Sequence, residues 1–125
     1  MKLHILVIDD HAVIRDLLAD ILARQGHEVD RAENGMEGLT MAYRRQYDII
    51  ISDVDMPVMN GIEFYKRLIK TMPFMRQRIL FITGNKDGAT DAFLQEMGVR
   101  RLSKPFTTVD LLEAVQRIDI LHVSD

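Results

Sequence analysis

Short apolar runs and amphipathic stretches alternate five times along the chain. The first run, Leu3 to Ile8, stops at Asp9-Asp10. Behind it Val13, Ile14, Leu17, Leu18, Ile21 and Leu22 recur at helical spacing, with Gly26 placed to cap the helix C-terminus. Glu28 to Ala32 reads as a weaker second strand, and Asn34-Gly35 turns the chain into a helix around Met36, Leu39, Ala42 and Tyr43. Asp48 to Ser52 is the third strand. A Pro- and Gly-containing loop leads from it into a helix on Ile62, Tyr65, Leu68, Ile69 and Met72 that ends near Pro73. Arg78 to Ile82 is a fourth strand closed by Thr83-Gly84-Asn85, and Asp87 to Met97 is a shorter helix with Gly98 behind it. Val99 to Ser103 is the fifth strand. After Lys104-Pro105-Phe106, Thr107 or Thr108 caps a last helix whose inner face is Val109, Leu112, Val115 and Ile118.

A (βα)5 alternation predicts an α/β fold, a doubly wound five-stranded parallel sheet with helices on both faces. No repeat, low-complexity tract or linker interrupts it, so residues 1–125 read as a single domain. Composition adds exclusions. Cys is absent, which removes disulfide frameworks and thiolate metal sites. The net charge of −3 argues against direct nucleic-acid binding. No apolar segment reaches the ~20 residues of a membrane span, and the short run after Lys2 is unlike a signal peptide, so the expected location is cytoplasmic.

The polar residues carry the chemistry. Asp9 and Asp10 follow strand one, Asp53 ends strand three, Thr83 follows strand four and Lys104 follows strand five. These are carboxyl ends of strands, the edge at which open α/β sheets bind ligands. In the common order 2-1-3-4-5, strands one and three are neighbours ~4.8 Å apart, so the acidic pair and Asp53 face one crevice. Two carboxylates ~5 Å apart repel by roughly 3 kcal/mol at an effective dielectric near 20. A hard divalent cation relieves that repulsion, and an all-oxygen site suits Mg2+ or Mn2+. A carboxylate beside such an ion can take up a phosphoryl group, with Lys104 and Thr83 placed for its equatorial oxygens and Gly84 leaving room for its approach. His11 sits beside the acids. Lacking a second His at ligand spacing, it reads as a surface residue at the helix start. The eight Met residues read as core and loop packing, and Arg44-Arg45 and Arg76-Gln77-Arg78 as solvated faces.

Four segments in order (Asp9-Asp10, DVDMPVMNG from Asp53, ITG around Thr83, and KPF from Lys104) give the chain a resemblance, along nearly its whole length, to the CheY-like receiver domains of bacterial two-component response regulators. The resemblance implies a flavodoxin-like fold with strand order 2-1-3-4-5. It implies that Asp53 is the phosphoacceptor for a sensor histidine kinase or phosphotransfer protein. By the same resemblance, Asp10, Asp53 and the Asp55 main-chain carbonyl ligate Mg2+, Asp9 acts through water, and Thr83 and Lys104 hold the phosphoryl oxygens. Asp55 and Asn85 flank the phosphate, and the Lys104-Pro105 peptide is cis. The output is expected through the helix4–strand5–helix5 face to an output domain or target protein, with a phosphorylation-dependent dimer left open. Such a receiver is a signalling protein rather than an enzyme, although it assists its own phosphorylation and dephosphorylation.

One departure concerns the switch. The family's usual aromatic three residues before the lysine is here Arg101, which cannot bury without a paired charge. The expectation is a partial or differently routed switch, with Arg100-Arg101 as a partner-facing patch. The chain ends where the fifth helix ends, so the expectation is a receiver without an output domain, either stand-alone or part of a larger regulator. Two rivals stay in view. Asp53-Val54-Asp55 resembles the D-x-D motif of haloacid-dehalogenase-type phosphatases, although those carry it on their first strand. The other rival is a phosphorylation-independent interaction module on the same fold.

Overall fold

The structure, a computed structural model, describes residues 2–84 and 88–123, the side chains of 120–123 excepted. The expected Asp87 helix start and the Asn85 site residue lie outside the described residues.

Five parallel strands form one sheet in the order β2-β1-β3-β4-β5. They are β1 (His4–Ile8), β2 (Glu28–Ala32), β3 (Ile49–Asp53), β4 (Ile79–Thr83) and β5 (Arg100–Ser103). The helices are α1 (Ala12–Arg24), α2 (Gly35–Arg44), α3 (Gly61–Thr71), α4 (Gly88–Met97) and α5 (Thr108–Val123), with a short 3-10 turn over Pro73–Gln77. Strand alternation divides the core in two. Ile5, Val7, Ile49, Ile51, Leu80 and Ile82 pack with Leu18 and Leu22 of α1 and Leu111, Val115 and Ile118 of α5. On the other face Leu6, Ile8, Ile50, Ile79 and Phe81 meet Leu39, Phe64, Leu68 and Leu94 of α2, α3 and α4. Burying each such side chain contributes about 1.5–3 kcal/mol, so the central strands fix the fold.

Helix starts follow from local chemistry. The side chains of Asn34 and Asn60 accept from the N–H groups of Glu37 and Glu63, each at 2.9 Å. Thr107 and Asp110 cap α5 reciprocally: the Thr107 hydroxyl accepts from the Asp110 N–H and the Asp110 carboxylate from the Thr107 N–H, both at 3.0 Å. Each cap is worth ~1 kcal/mol and sets where its helix begins.

Helix faces depart from the apolar pattern of the sequence in three places. Val13 and Leu17 of α1 are exposed, and Leu18, Ala19 and Leu22 supply the buried stripe. Six apolar positions at i, i+1, i+4 spacing make a stripe wider than one sheet face can cover. On α5, Val109 is exposed and Leu111 is the residue that packs. Met36 and Tyr43 of α2 likewise face outward, leaving Gly35, Gly38, Leu39 and Ala42 on the sheet. The gain is closeness. Small residues let α2 settle directly over β1, where a side chain at Gly38 would run into Ile8.

Gly61 sets the site. A Cβ there would collide with the Asp53 carbonyl oxygen and stand 2.9 Å from Phe81 and 3.0 Å from the Val54 Cα. The first turn of α3 therefore rests against the tip of β3, and the Gly61 N–H donates to the Val54 carbonyl at 2.8 Å. Between them the Met59 N–H donates to the Pro57 carbonyl at 2.7 Å around Val58, whose φ is +71°. This is a γ-turn with a β-branched residue at its centre, a strained conformation held by the anchors on either side.

Candidate functional site

Register brings the acids together. β1 pairs with β3 so that Ile8 is level with Ser52, which puts Asp9 beside Asp53 at the carboxyl edge. Ligand-type atoms of Asp9, Asp10, His11 and Asp53 all lie within 4.8 Å of one another. Asp9 and Asp53 are buried, and Asp9 Oδ2 has no hydrogen-bond partner among the described residues. Its other oxygen accepts from the His11 N–H at 2.9 Å, and the Arg15 guanidinium donates to the Asp9 carbonyl at 2.8 Å. Asp53 is held by its own strand end, with Oδ1 accepting from the Val54 N–H at 2.8 Å. Its Oδ2 faces the Lys104 ammonium at 3.7 Å.

The other predicted site residues fall around this centre. Thr83 closes β4 and is buried, one register step beyond the Asp53–Ile82 pair. Its carbonyl accepts from the Lys104 N–H at 2.8 Å, which ties the two residues together. The Lys104-Pro105 peptide is cis, as the resemblance implies. Asp55 is exposed in the loop after Asp53. At Gly84 a Cβ would stand 3.3 Å from the Lys104 side chain, so the glycine also leaves room for the lysine stem.

Two residues were not read for what they do. His11 is the N-cap of α1, as expected of a helix start, yet its side chain makes no cap hydrogen bond. Instead Nδ1 lies 3.2 Å from Asp10 Oδ1 and 3.4 Å from Asp9 Oδ1. Its position directly after two acids was the only signal. Arg101 finds the paired charge it requires: its Nε meets Asp91 of α4 at 3.1 Å. Arg101 is level with Phe81, hence on the sheet face that α4 covers, whereas Arg100 is level with Leu80 and faces the α5 side.

Burial pushes the Asp53 carboxyl above the usual carboxylate range. The Lys104 ammonium and the Val54 N–H pull it back, while the Asp9 and Asp10 charges add to the rise. A raised acid means that the ionised form is penalised in the folded state. Below the ordinary carboxylate range both folded and unfolded chains carry the proton and no penalty exists. As pH rises, the unfolded chain ionises first and folding stability falls. Without divalent cations, Asp53→Asn is therefore expected to be more stable than wild type at pH 7, with the gap closing as pH falls toward ~4. Urea titrations across pH check this; a gap independent of pH contradicts it.

Comparison with known proteins converges on one family. The sequence profile of the response regulator receiver domain matches residues 5–116. The chain is 32% identical to the chemotaxis protein CheY of Thermotoga maritima, over 94% of this chain and 98% of that one. It is 31% identical to the probable transcriptional regulator ycf29 of Pyropia yezoensis over 94% of this chain, but spans only 54% of that relative's length. Its fold superposes on chemotaxis protein CheY4 of Vibrio cholerae with a TM-score of 0.85 at 34% identity, covering 94% and 99% of the two chains. Nothing in these matches supports the phosphatase reading. No helix among the described residues is long and apolar enough to cross a membrane. The chain belongs to the response regulator receiver domain family of two-component signalling.

Proposed function

We propose that Asp53 is the phosphoacceptor of this receiver and that Asp9, Asp10 and Asp53, with the Asp55 main-chain carbonyl, hold a Mg2+ or Mn2+ ion. The observation that carries the reading is three carboxylates converging at one sheet edge with a buried oxygen, Asp9 Oδ2, left without a donor among the described residues. The donor set fits a hard divalent cation. When bound, such an ion offsets the repulsion between the carboxylates and the charge of an incoming phosphoryl group. Asp53 is pre-positioned by the Val54 N–H, and its carboxylate oxygen forms the new O–P bond as the N–P bond to the donor imidazole breaks. Lys104, already 3.7 Å from Asp53, and Thr83 supply positive charge and a hydroxyl for the equatorial oxygens. The single domain spans 1–125 in this reading, and Asn85 and Asp55 flank the phosphate.

A sensor histidine kinase or phosphotransfer protein supplies the phosphoryl group. Exposed Val13 and Leu17 of α1, Val58 of the strained loop and Val109 of α5 give it apolar contact beside the acidic crevice. Incubation with acetyl phosphate and Mg2+ followed by intact mass is expected to give a +80 Da adduct on wild type. The adduct is lost with EDTA and absent from Asp53→Ala. No adduct on wild type, and none with a beryllofluoride trap, defeats the proposal in favour of a phosphorylation-independent module.

Output runs through α4, β5 and α5 to an output domain, target protein or second receiver. The Asp91–Arg101 ion pair links α4 to β5 where the family's aromatic would stand. Both partners are partly exposed, and such a pair is worth at most ~1 kcal/mol. Taking a two-state switch from 1:99 to 99:1 needs ~5.5 kcal/mol. New charge-assisted hydrogen bonds at Thr83 and Lys104, at ~1.5–3 kcal/mol each, meet that only at their upper end. The switch is therefore partial. Amide shifts around Arg101 are expected to move only part way when beryllofluoride is added with Mg2+; complete conversion to a second state there contradicts this.

A further inference from the structure

The phosphoacceptor pocket carries a group that an all-oxygen magnesium site does not need. His11 Nδ1 stands 3.2 Å from Asp10 Oδ1 and 3.4 Å from Asp9 Oδ1, and the imidazole belongs to the same cluster as Asp53. Two ligand atoms on adjacent corners of an octahedron with ~2.1 Å bonds are about 3 Å apart. The nitrogen thus lies at the spacing of a ligand next to both carboxylates. Three further observations agree. Asp9 is 1% exposed and its Oδ2 lacks any hydrogen-bond partner among the described residues. Asp10 Oδ1 also lacks one among them, despite the nearby imidazole, so the contact is a close approach without hydrogen-bond alignment. The imidazole is itself 65% exposed and makes no cap bond to its helix, so structure alone does not require it there.

We infer that His11 is a nitrogen ligand which makes this pocket prefer borderline transition ions over Mg2+. The inference rests on the reading of the pocket as a divalent-cation site and adds the ion class it selects. Magnesium favours oxygen donors and gives up its waters reluctantly, so an imidazole adds little to its binding. Mn2+ accepts nitrogen, and affinity for nitrogen donors rises through Co2+ and Ni2+. Asp9 and Asp10 would then serve either ion, while His11 distinguishes them. A transition ion held this way occupies the place of the magnesium ion, so the state of the receiver depends on which cation reaches it.

The test uses the untagged full chain with Mn2+, Ni2+ and Mg2+ as probes. Pulsed EPR of the Mn2+-loaded protein is expected to show nitrogen coupling from a directly bound imidazole, absent in His11→Ala. By calorimetry, Ni2+ affinity is expected to fall about ten-fold or more in His11→Ala while Mg2+ affinity changes less than about two-fold. The variant keeps its fold, checked by circular dichroism, because the side chain caps nothing. His4, His27 and His122 remain in the variant, so nitrogen coupling that persists points to them and overturns the assignment. Unchanged Ni2+ affinity, or equal loss of Ni2+ and Mg2+, overturns it too. Asp10→Asn separates the two levels. If it weakens Mg2+ binding while His11→Ala changes nothing, the acidic site stands and the histidine role falls; if Mg2+ binding is indifferent to Asp10→Asn, both fall.

Discussion

The mutual repulsion of Asp9, Asp10 and Asp53 is the constraint on which this structure turns. At separations below 5 Å and an effective dielectric near 20, each pair of charges costs about 3 kcal/mol. One lysine at 3.7 Å does not balance three acids. A chain of ordinary marginal stability tolerates this only because the acids sit at the ends of strands fixed by apolar burial on both sheet faces. In the proposed reading, the same imbalance lets the pocket respond to cations and to a phosphoryl group. A fully neutralised pocket would have nothing to gain from either.

Rigid supports hold the charges at that separation. Parallel pairing of β1 with β3 fixes Asp9 beside Asp53, and the Val54 N–H and the close seat of Gly61 fix the far end of β3. Lys104 is tied to Thr83 through the backbone, so the groups that would answer a phosphate belong to adjacent strand ends and move together. Lys104 directly follows β5, on which Arg101 grips Asp91 of α4 by charge. A charge pair is weaker than a buried ring and sensitive to salt, so the proposed coupling from pocket to surface is softer than the pocket itself.

Much of this was legible in the sequence because it depends on local pattern. Five apolar runs bounded by Gly, Pro, Asn and Asp gave the strands to within a residue or so, and Asp9, Asp10, Asp53, Thr83 and Lys104 all fell at carboxyl ends. What escaped depends on three-dimensional company. Periodicity cannot say which half of the wide apolar stripe on α1 faces the sheet, and in the fold Leu18 and Leu22 do while Val13 and Leu17 are exposed. Nor can it foresee that His4 of β1 and Arg45 and Tyr47 of the connection after α2 converge on Asp30. Arg45 was read as solvated and is both half exposed and paired. The orientation of His11 follows from its extended N-cap backbone, φ −93° and ψ 110°, which no composition rule supplies.

The central claim is that the metal-free pocket is held in charge conflict and that a divalent cation resolves it. Thermal unfolding of wild type and Asp10→Asn, with and without Mg2+ at matched ionic strength, tests it directly. An ion present at ten times its dissociation constant stabilises by about 1.4 kcal/mol, so wild type is expected to gain about 3–8 °C in Tm. Asp10→Asn should start higher than metal-free wild type and gain little from Mg2+. Equal responses of the two proteins, or no response of wild type beyond that to NaCl, would contradict the account.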